Sequence, residues 1–187
     1  MNLPNRLTLM RIIMIPIFLI AFILPINLMG SICWLGTVTH GTWLLATIIF
    51  AIAAITDFLD GHLARSRHLI TNFGKFADPL ADKMLVMTAF ILLVGAHVVP
   101  SWVAAIIVCR ELAVTGLRLI CAETSGKVIA AAWPGKIKTA SQMFSIVFLL
   151  LSFNIIGLTL LYIALFFTVY SGIDYFVKNW GVFEHSI

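Results

Sequence analysis

The amino-acid sequence predicts an all-α integral membrane protein, a bundle of six transmembrane helices with both termini on the cytoplasmic side. Three observations lead to this prediction: the composition, the long apolar stretches and the placement of the basic residues. Of the 187 residues, 61% are hydrophobic and only 11% are charged, whereas soluble domains carry about 25% charged residues. A soluble chain of this length could not bury so much apolar surface, so lipid is the expected solvent.

Six apolar stretches indicate the predicted helices. One bilayer crossing takes roughly 20 apolar residues, and several stretches reach this length only if the helices continue into the flanking polar sequence. The first is long for a signal peptide and has no A-x-A cleavage site after it, so we expect it to be retained. No linker interrupts the sequence, which predicts one domain over residues 1–187. The stretches are 12–29, 43–60, 84–98, 102–120, 140–153 and 155–176.

The basic residues occur in alternate connections between the predicted helices. Lys and Arg lie before the first stretch, between the second and third, around the fourth-to-fifth connection and after the sixth, and the other connections have none. The positive-inside rule therefore places both termini and the two basic connections in the cytoplasm. Arg110 and Arg118 lie inside an apolar stretch, where a charge is costly and usually functional. We expect Glu111 to pair with an arginine near it.

Four of the eight acidic residues lie between positions 57 and 82. Asp57 and Asp60 are three residues apart, and Asp78 and Asp82 are four apart, so each pair shares one face of a helix. The polar residues between the pairs predict a turn, and an antiparallel helix pair would bring the carboxylates together. Four carboxylates around one point suit Mg²⁺ or Mn²⁺ rather than zinc. The sequence therefore predicts a site for divalent metal ions.

Small residues accompany the aspartates. Gly61 and Ala64 lie on the first acidic face and Gly74 on the second. Such a face admits an extended ligand close to the backbone, although close helix packing is the alternative explanation. Pro79 directly follows Asp78, so the second helix either begins near Gly74 or kinks at Pro79.

The order of these residues resembles the signature of the CDP-alcohol phosphatidyltransferase family, D-x-x-D-G-x-x-A-R-x8-G-x3-D-x3-D. Every fixed position matches, from Asp57 to Asp82, and the resemblance extends over nearly the whole chain. Looser stretches resemble the members of the family that use sn-glycerol 3-phosphate as acceptor. These stretches are 3–11, 110–111, 116–118 and 135–139.

The resemblance implies that the phosphatidyl group of CDP-diacylglycerol is transferred to sn-glycerol 3-phosphate, with release of CMP. It implies that Asp82 is the general base and that two metal ions bind the four aspartates. A homodimer in the bacterial inner membrane is implied as well, with membrane lipids as further partners and no nucleic acid. The implied CDP-lipid contacts are Asn5, Thr8, Gly61, Arg65 and Thr71, with Ala64 and Gly74 leaving room.

The acceptor requires a site of its own. Glycerol phosphate is a dianion near neutral pH and needs cations on the cytoplasmic side, where the aspartates lie. We assign Arg110, Arg118, Lys136 and Lys138 to the acceptor phosphate. For Lys136 and Lys138 the alternative is that they only set the topology and contact anionic lipid.

Parts of the sequence are also compatible with other functions. The core motif does not distinguish glycerol phosphate from inositol phosphate, serine or phosphatidylglycerol as acceptor, although the number of basic residues favours a phosphorylated one. An intramembrane prenyltransferase would need two acidic motifs far apart in sequence, whereas both acidic pairs of this chain lie close together. A divalent cation transporter would need ionisable residues throughout the membrane, and the predicted outer half has none except His40 and His97.

Overall fold

The structure, a computed structural model, consists mainly of α-helices. It describes the backbone of residues 3–25, 29–34, 36–66, 72–125 and 133–178. Within these ranges the side chains of 3–7, 34, 57–66, 72–79, 82 and 118–125 are outside the description. The helices are α1 (Leu3–Ile23), α2 (Gly41–Ser66), α3 (Asn72–Gly95), α4 (Ser101–Ser125), α5 (Trp133–Leu150) and α6 (Asn154–Lys178).

The helices confirm the mostly helical fold, since each described helix overlaps one predicted apolar stretch. They also extend into the polar flanks, as the lengths of the stretches required. α2 continues to Ser66 and α3 begins at Asn72, so both helices include the acidic motif. α3 begins two residues before Gly74 and includes Pro79 in its first half.

A β-hairpin between α1 and α2 was not predicted. Its strands, β1 (Ser31–Trp34) and β2 (Thr37–His40), pair antiparallel, with Ser31 opposite His40. Gly36 in the turn has a φ of 78°, a backbone conformation that glycine adopts without steric cost. The segment contains no long alternation of apolar and polar residues, so its sequence carried little signal for strands.

The hairpin lies at the end of the molecule opposite the acidic motif. The Thr39 hydroxyl donates a hydrogen bond of 2.7 Å to the carbonyl of Leu151, in the connection between α5 and α6. The N–H of Gly41 donates to the carbonyl of Gly30 at 2.8 Å and closes the base of the hairpin. Two connections without Lys or Arg, the one between α1 and α2 and the one between α5 and α6, therefore lie at the same end.

Aromatic residues fill the core between the first three helices. α1 packs against both α2 and α3. Phe18, Phe50 and Phe90, one from each helix, are fully buried, and the ring centroids of Phe18 and Phe50 are 5.8 Å apart. The buried core continues through aliphatic residues of α3 to α6, which are Leu85, Leu93, Val103, Ile107, Ile146, Leu149, Leu150 and Leu161.

α5 and α6 form a closely packed helical hairpin. A Cβ atom at Gly157 would lie 2.5 Å from Cδ2 of Leu149 and 3.1 Å from its backbone nitrogen. The Ser145 hydroxyl donates to the Gly157 carbonyl at 2.8 Å. Small residues allow this close approach, as is common between membrane helices.

The outward faces of the described helices carry many large apolar residues. This arrangement is the reverse of a soluble helix, whose exposed face is polar, and is typical of a surface that contacts lipid. Within the described part of the chain, α6 is long and apolar enough to cross a membrane, and residues 8–23, 41–56 and 83–95 form shorter apolar helical segments. Exposed examples are Ile13, Ile17 and Ile20 in α1, Ile48, Ile52 and Ile55 in α2, and Phe166, Ile173 and Val177 in α6.

Candidate active site

The backbone places all four aspartates near the connection 67–71. Asp57 and Asp60 lie in the last third of α2, and Asp78 and Asp82 in the first half of α3. Because α2 and α3 are consecutive and in contact, both acidic pairs lie at the same end of the bundle. Their side chains are outside the described residues, so the metal site stays a prediction. The predicted roles of Gly61, Ala64, Arg65 and Gly74 also stay predictions, because only their backbone is described. Thr71 lies outside the described residues altogether.

α1 brings further predicted residues to this end. Asn5 lies in its first turn, with its side chain outside the described part, and Thr8 is buried. Arg11, one turn after Thr8, is fully buried. In the sequence it counts among the basic residues before the first apolar stretch and ends the stretch 3–11 that resembles the family. A buried guanidinium within an apolar helix is a functional candidate.

Glu111 of α4 is the centre of a buried basic cluster. Its carboxylate contacts the amino groups of Lys83 from α3 and Lys138 from α5. Nη1 of Arg110 lies 3.3 Å from Oε1 of Glu111. The expected pairing of Glu111 with an arginine is confirmed, whereas its contacts with Lys83 and Lys138 were not predicted. Glu111 and Lys138 are each 3% exposed, so these charges meet in a poorly solvated interior.

The described contacts of this cluster place three cations around one carboxylate. Buried charges are stable only when they are paired and hydrogen-bonded. Because cations outnumber carboxylates among these described contacts, further anionic or polar groups are expected next to the cluster.

Arg110 is also attached to α6. Its Nε donates to the carbonyl of Thr168 at 3.1 Å, and its Nη2 donates to the hydroxyl of Ser171 at 2.8 Å. A Cβ atom at position 172 would lie 3.2 Å from Cγ of Arg110, so Gly172 leaves room for the arginine to pass. Arg110 thus joins α4 to α6 and holds its guanidinium beside Glu111.

The four residues assigned to the acceptor phosphate are only partly brought together. Arg110 and Lys138 meet at Glu111. Lys136 is exposed, and its amino group lies 5.5 Å from the centroid of the Trp133 ring. Arg118 lies two turns after Arg110 in α4, with its side chain outside the described residues.

A narrow cleft lies beside the Glu111 cluster. Its polar side consists of Lys83, Glu111, Thr139 and Gln142. The amide nitrogen of Gln142 is buried and has no hydrogen-bond partner among the described residues. Buried donors are normally satisfied by protein, water or ligand, so this cleft is a place for polar atoms of water or substrate. Its apolar side consists of Val86, Met87, Phe90, Ile107, Val108 and Met143.

Together, these features describe a mostly helical protein with apolar outer faces. It carries an acidic motif on α2 and α3 and a basic cluster that joins α3, α4 and α5. The family model for CDP-alcohol phosphatidyltransferases matches residues 1–170, and the chain belongs to this family. The resemblance of the acidic motif is thereby confirmed.

Three bacterial relatives carry the name CDP-diacylglycerol--glycerol-3-phosphate 3-phosphatidyltransferase. The Bacillus subtilis (strain 168) protein is 46% identical over an alignment length of 199 residues. The alignment covers 99% of this chain and 98% of the relative. The Haemophilus influenzae protein is 40% identical, with 93% and 91% covered. The Escherichia coli (strain K12) protein is 38% identical, with 93% and 92% covered. Family and relatives together imply a membrane enzyme.

Proposed function

We propose that this chain transfers the phosphatidyl group of CDP-diacylglycerol to sn-glycerol 3-phosphate, giving phosphatidylglycerophosphate and CMP in phospholipid biosynthesis. The observation that carries the proposal is the similarity over 99% of the chain to a relative named for this reaction. The complete acidic motif between Asp57 and Asp82 and the basic cluster around Glu111 support it independently.

The donor set of the acidic motif fits two divalent metal ions, Mg²⁺ or Mn²⁺. Carboxylate oxygens are the ligands that these hard cations prefer, and α2 and α3 bring four carboxylate-bearing residues to one end of the bundle. When bound, the metals supply charge neutralisation of the diphosphate and of the leaving CMP. The proposed ligands are Asp57, Asp60, Asp78 and Asp82.

The chain itself supplies a base and the contacts for the donor. Asp82 takes the proton of the acceptor's primary hydroxyl, because an alcohol is a poor nucleophile. The oxygen then attacks the phosphorus that bears the lipid, and the bond from that phosphorus to the CMP oxygen breaks. Arg65 offers a bidentate clamp for a phosphate. Asn5, Thr8, Gly61 and Thr71 contact the cytidine diphosphate, and Ala64 and Gly74 leave space for it.

The basic cluster is the proposed site of the acceptor phosphate. Its three cations, Lys83, Arg110 and Lys138, meet at Glu111 and suit a phosphate dianion. Lys83 directly follows Asp82 in α3, and this closeness along the helix supports an acceptor site near the candidate base. Arg118 and Lys136 complete the proposed acceptor site.

The proposed location is the bacterial cytoplasmic membrane, with six membrane spans in one domain and the active site facing the cytoplasm. The one-sided distribution of Lys and Arg supports this orientation, as does the hairpin contact between Thr39 and Leu151 at the opposite end. A homodimer with membrane lipids around it is proposed from the family resemblance.

The function is tested by CMP release from the purified protein in detergent with CDP-diacylglycerol and Mg²⁺ or Mn²⁺. We expect release that requires sn-glycerol 3-phosphate, stops with a chelator and returns with excess Mg²⁺ or Mn²⁺. Release with inositol phosphate, serine or phosphatidylglycerol instead would keep the family chemistry and contradict the acceptor. Folded protein that releases no CMP but carries Mn²⁺ into proteoliposomes would replace the enzyme by a cation transporter.

A further inference from the structure

No step of the reaction proposed above is assigned to Glu111, although its carboxylate lies at the centre of the basic cluster. Its side chain is 4% exposed, whereas the side chains of Lys83 and Arg110 are 25% and 15% exposed. The carboxylate is therefore the most enclosed of these three groups, although it lines the cleft together with Lys83. Its contacts are with the cations, which suits a residue that positions them.

The cations come from three helices and meet at this carboxylate. Oε2 of Glu111 contacts Lys83 from α3, and Oε1 contacts Lys138 from α5 and Arg110 from α4. An ionised carboxylate has about four acceptor positions and can accept all three donors. Like charges at this separation repel strongly where water is scarce, so the lysines need a buried anion to stay together.

We propose that Glu111 is a positioning residue for the acceptor phosphate and that Lys83 belongs to the phosphate site together with Arg110 and Lys138. Glu111 holds the two lysines at one point before the acceptor binds. The inference rests on the proposed function, because it concerns the same acceptor site. Since Lys83 directly follows Asp82, the contact that holds Lys83 also sets the rotation of α3 against α4 at the candidate base.

Removal of the Glu111 charge has two opposing effects on the acceptor. The cluster becomes more positive by one unit of charge, which by itself attracts a dianion more strongly. The lysines lose their common anchor and separate, which weakens the short, directional hydrogen bonds to phosphate. We expect the second effect to prevail, because charge-assisted hydrogen bonds depend on geometry, and preorganised donors bind more strongly than donors that must first be ordered.

The test compares Glu111→Gln, which keeps the shape of the side chain and removes its charge, with Asp174→Asn. Asp174 forms an i,i+4 pair with Lys178 near the end of α6, so the control removes a paired carboxylate away from the cluster. We expect Glu111→Gln to raise the KM for sn-glycerol 3-phosphate about tenfold or more, as loss of charged hydrogen bonds does. The KM for CDP-diacylglycerol should change less than about twofold, and Asp174→Asn should leave both unchanged.

An unchanged or lower KM for glycerol 3-phosphate in Glu111→Gln, with wild-type activity intact, would overturn the positioning role alone. Wild-type protein that releases no CMP with this acceptor would overturn the proposed function and the inference together. If Glu111→Gln does not fold, Lys83→Met and Lys83→Arg decide the matter. Lys83→Met should raise the KM for glycerol 3-phosphate, and Lys83→Arg should have a KM close to that of the wild type. Equal KM values for Lys83→Met and the wild type would contradict the inference.

Discussion

The proposed roles of the acidic motif and of the basic cluster can be tested by single substitutions. The acidic motif and the basic cluster are adjacent in sequence at Asp82 and Lys83. The two neighbours therefore have different proposed tasks, one taking a proton and the other binding phosphate. Each task predicts a different kinetic change.

Asp82→Asn should reduce kcat by about 10²- to 10⁴-fold, the usual contribution of a general base. Loss of a metal ligand would add to this effect. The measurement is CMP release at saturating concentrations of both substrates, with Asp174→Asn as the matched carboxylate-to-amide control. Activity within about threefold of the wild type would show that another group accepts the proton.

Lys138→Met should raise the KM for glycerol 3-phosphate by about tenfold or more, whereas Lys136→Met should raise it less than about threefold. Lys138 is buried against Glu111, where a charged hydrogen bond is strong. Lys136 is exposed beside Trp133, where water weakens its charge. The two KM values are measured side by side under identical detergent conditions. A larger effect at Lys136 would place the acceptor phosphate at the exposed rim.

At the scale of elements, α5 and α6 are the pair with the most extensive contact. Lys138 lies on α5, and the partners of Arg110 lie on α6. The spacing of these helices therefore determines where the basic cluster forms. Gly157 sets that spacing at the end opposite the cluster, because its missing side chain lets Leu149 approach.

Gly157→Ala should destabilise the protein by about 1–3 kcal/mol, because overpacking forces the helices apart. The expected change is a fall of several degrees in Tm, followed by circular dichroism in detergent. Gly116→Ala is the control, since a Cβ atom there meets nothing within 4 Å and alanine favours a helix over glycine. A Tm for Gly157→Ala at or above that of Gly116→Ala would contradict the packing argument.

At the scale of the whole molecule, the proposed orientation separates two chemically different ends. Acidic motif and basic residues lie at the proposed cytoplasmic end, and the hairpin lies at the other. Cys33 in β1 is exposed, and the outer connections contain no Lys or Arg. The hairpin should therefore be accessible from outside the membrane.

A membrane-impermeant maleimide should label Cys33 in intact spheroplasts, because a reagent in water reaches an exposed cysteine directly. The measurement is a mass shift of the purified chain, and Cys33→Ser should abolish it. A cysteine introduced at Ser66, the last residue of α2, should react only after permeabilisation. The reverse pattern would invert the proposed topology.

The sequence by itself determined the helical fold class and the family. Long apolar stretches indicate that lipid surrounds the helices. The fixed spacing from Asp57 to Asp82 indicates which residues share a helix face. The extension of α2 and α3 into polar sequence was also foreseen, because the apolar parts alone were too short. The metal ligands and the contacts of the CDP-lipid still rest on this pattern.

Only the tertiary structure decided how residues far apart in sequence meet. Lys83, Glu111 and Lys138 lie on three helices, and helical periodicity describes one helix at a time. It could not show that Lys138 is buried while Lys136 is exposed, nor that Arg110 reaches Ser171. The hairpin was missed for the same reason, since pairing of two short strands and the Thr39 contact to Leu151 depend on partners that no local pattern contains.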